Sequence, residues 1–126
     1  MPNTQITPEV LATLFDLRVL LRYDTKYNVH VAHCIQTGSV VTSDSQDDVL
    51  EMMKELLEDE ISFAIRNKNL KNLFSSPAPL EVHLQWLQAE KLEPIFLDVD
   101  FGQLEYLTIE PQNAHLKNKV EFALAA

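Results

Sequence analysis

Residues 27–57 change from the pattern of a β-strand to the pattern of an α-helix across one acidic segment. Up to Ile35, every second residue falls on one face of an extended strand, and most of these residues are apolar or aromatic. Gly38 permits a turn into a second strand, and Ser45 then begins a helix. Apolar residues recur along this helix at helical spacing, namely Val49, Met52, Met53, Leu56 and Leu57. The pattern predicts a sheet with a long helix packed on one face.

A strand with the same alternation precedes this segment at residues 17–23. The polar connection at residues 24–26 is short enough to form a hairpin with the strand that follows, at 27–35. A third strand, at residues 39–42, is short and is predicted to lie at an edge of the sheet. These elements predict an α+β fold with a three-stranded antiparallel meander and a long helix, over about 46–65, on one face.

The C-terminal half predicts a second helix and a β-hairpin. The helix covers residues 79–90, with Trp86 near its end, and its stripe of leucines is Leu80, Leu84 and Leu87. Alternating apolar residues at 93–101 and 103–109 flank Gly102, which is typical of two strands joined by a turn. We expect this extension to lengthen or support the sheet.

The length of 126 residues fits one domain, with 46% hydrophobic residues to fill one core. We predict a single α+β domain over residues 1–126, with a core at 17–66, an extension at 79–110 and a tail at 111–126. A short helix is also predicted over residues 7–15. The tail has little apolar surface to bury by itself, so we expect it to be mobile or held by a second subunit.

The order of these elements resembles the HicB-like antitoxin domain. The similarity rests on Ala32, Cys34, Gly38, the Ser-Asp-Ser segment at 43–45 and the start of the helix at 48–50. It implies the meander-and-helix fold and a non-catalytic role through protein contacts, such as neutralisation of a small basic ribonuclease toxin. Typical members add a helix-turn-helix or ribbon-helix-helix segment that binds operator DNA. The sequence shows neither segment, so direct DNA binding is not expected.

The charge of the chain also disfavours nucleic acid as a direct ligand. Nineteen acidic residues against ten basic ones give a net charge of −9, which opposes a polyphosphate partner. Acidic side chains mark the solvent face of the long helix at Glu51, Glu55, Glu58 and Asp59. Two interpretations stay open: this stripe is a solvated surface, or it is a docking face for a basic protein partner.

Several features indicate a cytoplasmic protein. Cys34 is the single cysteine, which excludes an internal disulfide and fits a reducing compartment. No apolar run approaches the roughly 20 residues that cross a bilayer, so no membrane association is expected. The first residues lack the basic region and uninterrupted apolar stretch of a secretory signal.

His30, His33 and Cys34 supply residue types that bind zinc, yet strand geometry separates them. His30 and Cys34 share one face of the strand, whereas His33 lies on the other, so the three do not converge. We therefore expect no metal and no cofactor. We also expect Cys34 to be a packed side chain rather than a nucleophile.

Asp98 and Asp100 carry the main alternative hypothesis, because two carboxylates on one strand face suit metal-assisted or acid–base chemistry. The protein would then be a small hydrolase or nuclease. A second alternative is a small-ligand-binding protein with its pocket between the long helix and the hairpin. Whichever function holds, the short third strand leaves an edge of the sheet that can pair with another strand. We therefore predict a homo-oligomer.

Overall fold

A computed structural model describes residues 16–97 and 119–125 of the chain. Within these residues the protein is a mixed α+β fold, as the sequence predicts. The predicted helix at 7–15, the predicted hairpin beyond Leu97 and residues 111–118 of the predicted tail lie outside them. The described elements are β1 (Asp16–Asp24), β2 (Val29–Cys34), β3 (Val40–Ser43), α1 (Gln46–Arg66), α2 (Leu70–Leu73), α3 (Leu80–Gln88), β4 (Glu90–Lys91), β5 (Ile95–Phe96) and β6 (Lys119–Leu124).

The strands form one mixed sheet in the order β3-β2-β1-β6-β4, with β5 also paired to β6. Neighbouring strands are antiparallel, except that β1 and β6 are parallel. Strand β4 pairs with one end of β6 and β5 pairs with the other, so both line the edge of β6 that faces away from β1. The described sheet therefore ends at β3 on one side and at the short strands β4 and β5 on the other.

The C-terminal residues correct one expectation from the sequence. The tail is predicted to be mobile or held by a second subunit, but β6 lies inside the sheet of its own chain, with Val120, Phe122 and Ala123 buried. In the parallel ladder, Leu17 lies opposite Val120 and Val19 lies opposite Phe122. This burial depends on pairing with a strand about a hundred residues earlier in the chain, which a local pattern cannot reveal.

Helix α1 covers one face of the sheet. Its N-cap residue, Ser45, accepts a hydrogen bond from the backbone N–H of Asp48 at 3.0 Å, which satisfies one of the free donors of the first turn. The buried side of α1 packs against Leu17, Val19 and Phe122 of the sheet. Its buried residues are Val49, Met53, Leu57, Ile61, Ala64 and Ile65. This stripe supplies more buried residues to the larger core than any other described element.

Helix α3 packs on the opposite face of the sheet. Val82 and Trp86, one turn apart, are buried against Leu20, Ile35 and other small and apolar residues. The Nζ atom of Lys91 lies 4.3 Å from the centre of the Trp86 ring and donates to the carbonyl oxygen of Trp86, near the end of the helix. The leucine stripe of this helix faces outward, with Leu80, Leu84 and Leu87 exposed. Helix α3 therefore packs on the sheet through Val82 and Trp86 rather than through its leucines.

The turn between β2 and β3 connects the sheet to the segment that leads into α3. Gly38 has a φ of +77°, and a Cβ atom at this position would collide with the backbone carbonyl of Ser76. Nearby, the backbone N–H of Ala78 donates to the carbonyl of Ile35 at 2.9 Å. Only glycine fits this close approach, which fixes the start of α3 against the sheet. In residues 16–97 and 119–125, no helix is long and apolar enough to cross a membrane.

Candidate functional site

The solvent side of α1 carries the acidic residues that the sequence predicts as a partner-binding surface. Glu51, Glu55 and Asp59 are exposed, and we call these three residues the acidic face. Glu58 is half-buried, and its Oε2 atom lies 3.3 Å from the Nζ atom of Lys54, one turn earlier. Glu58 thus belongs to an ion pair along the helix, whereas the acidic face directs three carboxylates into solvent.

The opposite side of α1 is buried in the core, so the acidic face is held on a rigid support. A helix fastened by six buried residues and capped at its first turn keeps its outward side chains at fixed spacing. Charges on such a support can complement a partner without the entropy cost of ordering a loop. The acidic face therefore has the geometry of a preformed surface.

A groove lies at the C-terminal end of the acidic face. After Asn67 the chain reverses through Lys68, which has a φ of +53°, and the backbone N–H of Asn69 donates to Ala64 at 2.8 Å. This reversal brings α2 beside the end of α1, where Leu70 is buried and anchors it. The resulting groove has a volume of about 450 Å³ and is lined in part by Asp59, Phe63, Arg66, Asn72 and Leu73.

Phe63 is the one aromatic residue of α1, and 60% of its surface is accessible. It follows Asp59 by one helical turn and forms part of the groove wall. An aromatic ring in such a position offers a partner apolar contact area next to a row of carboxylates. Sequence analysis did not single out Phe63, although an aromatic residue within the solvent stripe of an acidic helix is a usable signal.

A second groove runs between the N-terminal half of α1 and the segment around β5. Its volume is about 500 Å³, and its floor is mainly apolar, with Leu50, Leu92, Ile95 and Phe122. Lys54 and the carboxylates of Asp47, Glu51 and Glu93 lie around the rim. Glu93 and Ile95 belong to the first strand of the predicted hairpin, and the rest of that hairpin lies outside the described residues.

Strand pairing places the histidines and the cysteine as the alternation indicates. His33 lies opposite Leu20 on β1, on the face covered by α3, whereas Cys34 lies opposite Val19 on the face covered by α1. His30 shares the face of Cys34 and contacts Tyr23 edge to face at 4.9 Å. In the described part of the chain, no group of three or more His, Cys, Asp or Glu residues could hold a metal ion.

Cys34 is fully buried beneath α1. Burial raises the pKa of its thiol, and the Glu60 charge raises it further, against hydrogen bonds from Thr37 and Gln36 that lower it. A thiol that resists deprotonation is a poor nucleophile and a poor metal ligand. The environment of Cys34 is that of a packed apolar side chain.

His33 is also buried, with 9% of its surface accessible, and its Nδ1 atom has no hydrogen-bond partner. Burial lowers the pKa of the imidazole, and the neighbouring Arg22 charge lowers it further. The ring is therefore held in its neutral form, which suits a sheet residue packed among apolar neighbours rather than an acid catalyst.

Asp98 and Asp100, the carboxylates of the hydrolase or nuclease hypothesis, lie outside the described residues. Comparison with known proteins gives no match, whether to a protein family, to a curated protein or to a solved structure. The acidic face and the two grooves beside α1 are the features of the described surface that bear on function.

Proposed function

We propose that this chain is a non-catalytic protein that acts through protein–protein contacts and binds a basic partner on the acidic face of α1. The observation that carries the proposal is the exposed ring of Phe63 at the end of that face, beside a groove of about 450 Å³. What distinguishes this ring is its place beside a groove and a row of carboxylates. Such a position suits a docking helix, because buried aromatic anchors supply much of the energy of an interface.

The charges of the acidic face suit the approach of a cationic protein. Glu51, Glu55 and Asp59 point into solvent from successive turns, on a chain with a net charge of −9. Such a field raises the association rate with a basic partner and disfavours acidic competitors. Phe63 then provides the apolar contact that slows dissociation.

The resemblance to HicB-like antitoxins sharpens the proposal to a partner class, a small basic ribonuclease toxin that the chain neutralises. Its support is the order of β2, the turn at Gly38, β3 and α1, together with the acidic face on that helix. The meander of that family belongs to the same proposal, together with the C-terminal hairpin predicted from the sequence and the cytoplasmic setting in which an antitoxin meets its toxin.

The proposal predicts that a gene for a small basic protein lies beside the gene of this chain, and the experiment measures binding of that protein to the full chain. Replacing the acidic face by Glu51→Gln, Glu55→Gln and Asp59→Asn should weaken binding at least tenfold by calorimetry and flatten its salt dependence. The matched control removes the same charge from exposed glutamates elsewhere, with Glu81→Gln, Glu90→Gln and Glu93→Gln. Equal affinities for the two triple variants, or no binding by the parent, would refute the proposal.

A second function is favoured by the groove between α1 and β5, whose apolar floor and charged rim resemble a small-molecule site. It would take an amphipathic ligand, with the polar group at Lys54 or the rim carboxylates. Titration with short fatty acids or alkyl amines, followed by NMR, should perturb Leu50 and Ile95 if this function holds. A Leu50→Trp variant should fill the groove and abolish the shift of Ile95, whereas an Ile95 shift that persists in that variant would exclude this groove.

A further inference from the structure

Among the described strands, β3 is the last of the sheet on its side. In the described residues it pairs only with β2, where the backbone N–H of Cys34 donates to Ser39 at 2.8 Å. Residues of an antiparallel ladder alternate in the direction of their backbone polar groups. Ser39 and Val41 therefore point these groups toward β2, whereas Val40 and Thr42 point theirs outward. The outward N–H and C=O groups of Val40 and Thr42 can therefore form hydrogen bonds with another strand.

The two edges of this sheet differ in how they are protected against such pairing. Strand β4 consists of Glu90 and Lys91, and Glu93 and Pro94 precede β5, so that edge carries charges, a proline and a break. Strand β3 has the sequence VVTS, with neither charge nor proline, and the side chains of Val40 and Thr42 are exposed. Charges and proline are the usual means of blocking an edge. The β3 edge lacks both.

An apolar flank of α1 lies on the same side as this edge. Met52, Leu56 and Glu60 follow one another at intervals of four residues and form one row on the helix. The Glu60 carboxylate accepts a hydrogen bond from the hydroxyl of Ser39, the residue before β3, so this row faces the β3 side. Met52 is 42% exposed there, which adds apolar surface beside the open backbone groups.

We propose that β3 pairs antiparallel with β3 of a second copy of this chain, so that one sheet continues through both molecules. Like charges oppose the approach of two chains that each carry −9, and an uncharged strand offers contact with the least repulsion. The strand is also self-complementary, because a two-fold axis through Val41 sets each Val40 opposite Thr42 of its copy. Every outward N–H and C=O of these residues is then paired.

This pairing places the two α1 helices side by side on one face of the joined sheet, with Met52 and Leu56 of each copy facing the axis. Phe63 follows Leu56 by seven residues and so lies on the same flank of α1. The two proposals are separated by their variants, because Val40→Glu changes only β3 whereas the acidic-face variants change only charges on α1. A strand of four residues contributes a small contact. We therefore expect a dissociation constant on the order of micromolar, typical of interfaces below the standard size.

Sedimentation equilibrium over a hundredfold range of concentration around this value should show the parent chain passing from monomer to dimer. Val40→Glu sets like charges across the axis and should weaken the dimer at least tenfold. Phe96→Glu is the matched control, because Phe96 is similarly exposed, at 55% against 48% for Val40, but lies on the protected edge. A parent that remains monomeric, or a Val40→Glu variant that dimerises like the parent, would overturn the proposal.

Two further variants separate the β3 edge from other contacts and from loss of folding. Val41→Cys should form a disulfide-linked dimer under mild oxidation, since Val41 meets its own copy at the axis while Cys34 is buried. A Val41→Cys protein that folds like the parent but does not cross-link would contradict the pairing of β3 with its copy. Leu87→Gln changes the exposed face of α3 and should leave the dimer intact. If Leu87→Gln dissociates it instead, the second copy covers α3, and the β3 pairing is wrong.

Discussion

The hydroxyl of Ser39 donates a hydrogen bond to the carboxylate of Glu60, with 2.6 Å between the two oxygens. Ser39 also accepts from the hydroxyl of Thr37 at 2.8 Å, so three polar side chains form a chain from the β2–β3 turn to α1. The Glu60 bond joins the edge of the sheet to the helix that packs on it. Hydrogen bonds to charged groups are the stronger ones in proteins.

Ser39→Ala should therefore lower the free energy of unfolding by roughly 1.5 to 3 kcal/mol, the range of a bond to a charged group. Urea unfolding of Ser39→Ala, Glu60→Ala and the double variant gives the coupling energy between the two side chains. A coupling indistinguishable from zero would mean that the bond contributes nothing to stability.

The two adjacent leucines of α1 should respond differently to the same substitution. Leu57 is fully buried against the sheet, whereas Leu56 is half-buried on the flank beside β3. Leu57→Ala should cost about 2 to 5 kcal/mol, because it leaves a cavity in the core. Leu56→Ala, with the same change in composition, should cost clearly less by urea unfolding. Equal losses would show that both side chains are buried alike in solution.

Helix α1 illustrates what the sequence can predict. Its cap at Ser45 and the spacing of Val49, Met53 and Leu57 are local properties, and the helix begins and ends within a residue of the predicted range. The exposed Glu51, Glu55 and Asp59 follow from the same periodicity. A local sequence pattern is enough to predict a helix and its exposed residues when the helix has a single apolar side.

Strand β6 and helix α3 show where local patterns fail. The burial of Val120 and Phe122 depends on parallel pairing with β1, which no short window contains. In α3, the leucine stripe and the pair Val82 and Trp86 are both apolar, so periodicity alone does not say which packs on the sheet. The groove beside Phe63 likewise requires the chain reversal after α1. Each of these features arises from contacts distant in sequence.

Cys34 should make stability decline in alkaline solution. Burial raises the pKa of its thiol in the folded protein, so between the unfolded and folded pKa values the folded chain binds more protons. The stabilisation is complete below the unfolded pKa and is lost as the pH rises toward the folded one. Urea midpoints above pH 8 should therefore fall more steeply for the parent than for Cys34→Ala. Parallel declines for the two proteins would contradict the burial of this thiol.

His33 should make the protein sensitive to acid, with the opposite sign. Burial and the Arg22 charge lower the pKa of the imidazole in the folded state, so the unfolded chain binds the extra proton first as the pH falls. Its contribution to stability is complete above the unfolded pKa, and it is lost as the pH falls toward the folded one. Urea midpoints measured from pH 7.5 down to pH 5 should drop more for the parent than for His33→Gln, which has no ring to protonate. Carbon-13 NMR of the His33 ring should report the lowered pKa directly. A pKa of the His33 ring at or above the ordinary value of histidine would contradict this prediction. It would mean that, in solution, the Nδ1 atom has a partner that stabilises the charged ring.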